Sequence, residues 1–79
     1  MTRDELEARL RRLVAEASGR GLEAAPDDAD IYRDLGVRST GALELLLAIE
    51  EAFGVAIPDE AFGRARTIAA LAALVRRLQ

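Results

Sequence analysis

The segment Asp34-Leu35-Gly36-Val37-Arg38-Ser39 is where this sequence comes closest to chemistry. Gly36 allows a sharp turn with positive φ. Ser39 stands where a run of helical apolar spacing begins, so it is expected at the N-cap of a helix. The first N–H groups of that helix would face its hydroxyl, and they and the helix dipole favour a negative group there. A phosphate ester on Ser39 would therefore lie at an anion-binding helix end. A plain capping serine fits the same pattern, because serine is among the commonest N-caps.

Little else in the chain could act as a catalyst. It has no histidine and no cysteine. That removes the usual general base, thiolate metal sites and disulfides, and both Ser–His and Cys–His nucleophile pairings. A Ser39–Asp34 pairing would need a carboxylate whose pKa is raised towards neutrality. Asp27, Asp28 and Asp30 could be cation ligands, but they lack calcium-loop spacing, and turn chemistry accounts for them. The expectation is a protein that is not an enzyme and holds no metal.

The elements that must position Ser39 are helical. Thr2 and Glu5 have capping-box spacing, and Leu6, Leu10, Leu13, Val14 and Ala17 follow on one face. Glu5–Arg9 and Glu7–Arg11 are expected as i,i+4 pairs, and Gly19 and Gly21 end this helix. A long loop follows to Gly36, with Ile31 and Leu35, helped by Tyr32, plugging it into the core. The helix opened by Ser39 is expected to bury Leu43, Leu46, Leu47, Ile49 and Phe53 and to stop at Gly54. Pro58 suits the first position of a short helix that carries Ala61 and Phe62 and ends near Gly63. Thr67 caps a last helix whose Ile68, Leu71, Leu74, Val75 and Leu78 face inward, with Arg76 and Arg77 in its final turn. The fold class is therefore all-α, three longer helices and one short one, and residues 1–79 form one domain.

With 14 acidic residues against 11 arginines, the net charge is −3. That disfavours nucleic acid and suits partners with basic patches. No segment approaches the roughly 20 apolar residues of a membrane span, and the N-terminus lacks the apolar run of a secretory signal. A cytoplasmic monomer is expected.

The run DLGVRSTGALELLLAIEEAFGVAIPDE resembles the centre of the acyl carrier protein family, which includes peptidyl carrier domains. The residues that carry the resemblance are Asp34, Leu35, Gly36, Ser39, Glu44, Leu45, Glu50, Glu51, Phe53 and Ile57-Pro58-Asp59-Glu60, with Thr67-Ile68 opening the last helix. The resemblance implies a four-helix bundle of acyl-carrier type. It implies that a phosphopantetheinyl transferase attaches 4′-phosphopantetheine to Ser39. The terminal thiol would then carry a thioester, supplied by an acyl- or aminoacyl-loading enzyme and passed to a downstream acyltransferase or synthase. It also implies that acids on the helix after the serine, Glu44, Glu50 and Glu51, meet basic partner surfaces.

The sequence departs from the family where partners would read it. Arg38 stands in place of the signature Asp, Thr40 in place of Leu, and Gly41 at an often acidic position. A reversed charge beside the attachment serine can exclude wrong partners. The reading is a discrete carrier with a natural start at Met1, specialised for secondary metabolism, either polyketide or nonribosomal peptide. A primary fatty acid carrier is the alternative within the family, and a non-carrier helical interaction module the alternative outside it. Leu46, Leu47, Ala61, Phe62 and Ile68 could line an acyl cavity or simply pack the bundle.

Overall fold

The computed structural model describes residues 2–19 and 26–79. It contains four helices: α1 Arg3–Ser18, α2 Ser39–Phe53, α3 Asp59–Arg64 and α4 Ile68–Leu78. The described residues include no strand, only an isolated antiparallel bridge between Asp30 and Thr67.

Local chemistry sets the helix ends. The Thr2 hydroxyl accepts from the Glu5 N–H at 3.2 Å and donates to the Glu5 carboxylate at 3.1 Å. Asp4 and Glu5 add negative charge to the first turn of α1, where the dipole favours it. At the other end Gly19 takes a left-handed conformation (φ 72°) and donates to the Ala15 carbonyl at 2.9 Å. Gly21 lies outside the described residues. The acid-first pairs expected along α1 are replaced by others. Glu7 bonds Arg3 at 3.4 Å, one turn upstream, and Arg11 reaches off the helix to Asp27. Arg11 also fastens the loop in this way, a role that helix spacing does not reveal.

The core is one cluster to which every helix and the first loop contribute. Leu6, Leu10 and Val14 of α1 are buried, and α1 packs against both α2 and α4. Fully burying one such side chain is worth on the order of 1.5–3 kcal/mol. The loop is stitched in by main-chain bonds: Ile31 N–H to the Arg66 carbonyl at 2.8 Å, Val37 N–H to the Ile31 carbonyl at 2.9 Å, and Ala69 N–H to the Asp27 carbonyl at 3.1 Å. Ile31, Leu35 and Val37 are buried as a result, and Tyr32 is half-buried.

Helix α2 is rotated from the face expected of it. Its buried residues are Leu45, Leu46, Ile49 and Phe53. Leu43 is 60% exposed and Leu47 56% exposed. The cause is the approach of α1. Gly41 lies against the last turn of α1, where a Cβ built on it would stand 3.1 Å from the Ala17 carbonyl oxygen. That contact turns the 41–45–49 side inward and Leu43 and Leu47 outward. Leu78 is likewise 38% exposed rather than inward-facing. Pro58 is the N-cap of α3 rather than its first residue, and α3 runs one residue past Gly63. The Thr67 hydroxyl accepts from the Ala70 N–H at 3.0 Å, capping α4, and Arg76 and Arg77 occupy its last turn.

Candidate functional site

Ser39 sits at the junction of the loop and α2. Gly36 has φ +81°, the left-handed turn that the spacing predicts. Val37 then drops into the core and Arg38 is extended (φ −90°, ψ 162°). Arg38 is the N-cap, so Ser39 is the first helical residue rather than the cap itself. The difference matters chemically. A capping serine turns its hydroxyl back onto the helix amides. At the first helical position the hydroxyl is released from that duty. Among the described residues the Ser39 hydroxyl has no hydrogen-bond partner, no side chain caps the start of α2, and Ser39 is exposed.

The first intrahelical bond runs from the Ala42 N–H to the Arg38 carbonyl at 2.8 Å. The amides of Ser39, Thr40 and Gly41 precede it and have no intrahelical acceptor. They form the positive end of a 15-residue helix, which suits a phosphate ester on the adjoining hydroxyl. Two grooves flank the serine. One, of about 430 Å³, is lined by Tyr32, Val37, Ser39, Ala42, Gly63 and Arg66. The other, of about 390 Å³, lies between the end of α1 and the start of α2, with Arg38, Thr40, Gly41 and Glu44 on one side and Glu16 on the other.

The wall of the first groove is a polar cluster centred on Asp30. Its carboxylate accepts from the Tyr32 N–H at 2.8 Å, the Arg33 N–H at 2.9 Å and Arg66 Nε at 2.8 Å. These bonds, that of the Arg66 side chain foremost, hold the Asp30 carboxyl at about 2. Asp34 Oδ2 accepts from the Asp30 N–H at 2.9 Å and Oδ1 from Arg33 Nε at 3.2 Å. The hydrogen bond from Arg33 chiefly lowers the Asp34 pKa. Asp34 therefore closes the loop, and neither carboxylate is raised to serve as a base for Ser39. The Arg66 guanidinium lies 4.8 Å from the centre of the Tyr32 ring, and burial raises the pKa of the Tyr32 phenol.

The other residues singled out by sequence fall into two groups. Arg38, Thr40, Glu44 and Glu51 are exposed. Glu50 is half-buried, and its Oε2 accepts from the Ile57 N–H at 2.8 Å. It ties the end of α2 to the segment leading into α3, so much of its carboxylate is engaged internally. Leu43 and Leu47, one turn apart, are exposed beside these acids, a part of the surface that sequence reasoning assigned to the core. The signal was present, because Glu50 and Glu51 continue the Leu43–Leu47 row at helical spacing. Of the five possible cavity residues, Leu46, Phe62 and Ile68 are buried, Ala61 is half-buried and Leu47 faces outward.

The described residues form a small helical bundle with an exposed serine at the start of α2. The profile of the phosphopantetheine attachment site family matches residues 8–75, and the chain belongs to that family. Its prosthetic group is 4′-phosphopantetheine, and the protein has a carrier role. The exposed hydroxyl, the free helix amides and the adjoining groove fit such a group. When bound, it supplies the thiol that the sequence lacks. No described helix is long and apolar enough to cross a membrane.

Proposed function

We propose that Ser39 is the attachment point, and that the chain holds an acyl or aminoacyl group as a thioester on the 4′-phosphopantetheine arm and delivers it to partner enzymes. The observation that carries this reading is the Ser39 hydroxyl, exposed and unpartnered among the described residues, next to three amides that await an anion. The partners are a phosphopantetheinyl transferase, a loading enzyme and a downstream acyltransferase or synthase. They read the exposed face of α2, where Arg38, Thr40, Glu44 and Glu51 surround the apolar Leu43 and Leu47. Glu50 contributes mainly by holding the end of that face in place.

The setting is secondary metabolism, polyketide or nonribosomal peptide, in the cytoplasm. Arg38 supports it. A cation beside the serine repels the basic patches that acidic carriers attract, so it narrows the set of partners.

Intact mass spectrometry after incubation with coenzyme A and a broad-specificity phosphopantetheinyl transferase tests the assignment. Wild type should gain the mass of one phosphopantetheine, and Ser39→Ala should gain none. No gain by folded wild type and by Arg38→Asp alike would reject the carrier reading of Ser39. A gain by Arg38→Asp alone would mark Arg38 as a block to that transferase.

A further inference from the structure

We propose that the groove between α3 and α4 is a second docking surface, and that its occupant is a helix of a partner protein with an acidic face. The inference does not depend on Ser39. It concerns a part of the chain that the attachment site does not use.

Charge is unevenly placed along this sequence. Residues 61–79 contain Arg64, Arg66, Arg76 and Arg77 and no acid, so all 14 acidic residues lie before them. Arg66 is engaged by Asp30. Arg64, Arg76 and Arg77 are exposed and form no ion pair among the described residues. Glu60 stands one turn before Arg64, in the order that favours an i,i+4 pair, yet the two do not pair. Arg64 instead lines a groove with Arg77 of α4, together with Ala61, Ala65, Ala70 and Leu74.

The helix dipole accounts for a base in the last turn of α3 and of α4. It does not account for both bases bordering one groove. Like charges placed there repel, and an anionic side chain between them relieves the repulsion. The groove holds about 210 Å³, below the roughly 300–1,000 Å³ of small-molecule sites, so it suits side chains of a protein rather than a whole metabolite. Ala70, Leu74 and Arg77 succeed one another at helical spacing, so the groove follows two turns of α4, about 10 Å at 1.5 Å per residue. A partner helix offers its carboxylates and apolar side chains at that same spacing. The alanines leave room for a small apolar side chain, and the guanidinium groups take carboxylates in charge-assisted hydrogen bonds. The acids elsewhere in the chain repel such a helix, which steers it to this face. No residue of α2 lines the groove, so an acidic helix seated here does not compete for the side chains that α2 offers to basic partners.

The probe is a synthetic helical peptide with glutamate along one face and leucine and alanine along the other. It is titrated into the isotope-labelled full chain while the amide resonances are followed. Shifts should gather on residues 61–65 and 70–77 and weaken with added salt, and the same peptide with lysine for glutamate should leave them unmoved. Arg64→Glu with Arg77→Glu should weaken binding of the acidic peptide about tenfold or more, with the helical circular dichroism kept. If that variant loses its helical signal, Arg64→Gln with Arg77→Gln takes its place. Arg9→Glu with Arg12→Glu, at two exposed positions of α1, should bind the peptide as wild type does. Absence of shifts, shifts spread evenly over every arginine, or equal binding by the Arg64 and Arg77 variants would overturn the proposal. Shifts at these residues that grow with protein concentration alone would assign the groove to a second copy of the chain. Shifts with phosphatidylglycerol vesicles but not with the peptide would assign it to a membrane surface, and either result overturns the acidic helix. Failure of the wild type to take up phosphopantetheine would reject the reading of Ser39 and leave this one standing.

Discussion

Gly41 gives the sharpest test of how the helices are held beside Ser39. By sequence it looks like a weakness, a glycine in the first turn of the helix that follows the serine. In the structure it is where α2 meets α1. Two effects oppose each other in Gly41→Ala. Removing glycine from a helix gains about 0.5–1 kcal/mol in an interior position, and less in the first turn. Against this, the new methyl would stand 3.1 Å from the Ala17 carbonyl oxygen and 3.8 Å from Val37 Cγ1. The first contact is short by several tenths of an ångström for a carbon against a backbone atom. Ala17 lies in the final turn of α1, which can shift by that amount, so Ala should fall within about 0.5 kcal/mol of wild type. Gly41→Val adds two further methyl groups to the same contact, and overpacking of this kind costs about 1–3 kcal/mol. In a domain of this size each kcal/mol lowers the melting temperature by about 4–8 °C. Thermal melts of wild type, Ala and Val, followed by circular dichroism, read the series directly. If Gly41→Val melted at the wild-type temperature, the close approach of α1 and α2 would be wrong, and so would the reason given for the outward turn of Leu43 and Leu47.

Other consequences are simpler. Thr67→Ala removes the hydroxyl that accepts from the Ala70 N–H and should cost about 1 kcal/mol of stability, measured by urea unfolding. The Asp30 pKa is lowered from 3.8 to about 2 in the folded chain, so its contribution to stability is complete above 3.8 and is lost as the pH falls towards 2. Melts across that window should therefore be steeper in pH for wild type than for Asp30→Asn, and equal slopes would remove Asp30 from the account. Replacing Leu43 and Leu47 together by Ser should change stability by no more than about 0.5 kcal/mol per site, since both are largely exposed. The same double variant should weaken binding to an enzyme that docks on α2 by about tenfold or more, as read by calorimetry. Strong destabilisation instead would show that the two leucines are core residues.

Much of this protein is decided by local chemistry, and that part is legible in the sequence. Thr2, Gly19, Gly54 and Thr67 mark helix ends because caps involve neighbours a few residues away. The all-helical class, the buried faces of α1 and α4 apart from Leu78, and the turn at Gly36 follow for the same reason. The motif around Ser39 identifies the family before any coordinate is known, because the order and spacing of its residues are themselves the signal.

Contacts between distant segments decided the rest. Leu43, Leu45, Leu46 and Leu47 cannot all face one core, and periodicity permits more than one choice among them. The choice was made by α1 packing across Gly41. Asp30 and Arg66 are 36 positions apart, so nothing in their local sequence announces the pair, and only the folded chain sets it beside Tyr32 as a wall of the serine's groove. Glu50 reads as one more surface acid until the turn after Gly54 brings the Ile57 amide to it. Even the place of Ser39, one residue inside the helix rather than on its cap, depends on how far back the loop, pinned through Ile31 and Val37, lets α2 begin. Sequence alone suffices to propose Ser39 as the attachment point. Tertiary packing determined which groups surround it, because those groups come from segments that only folding brings together.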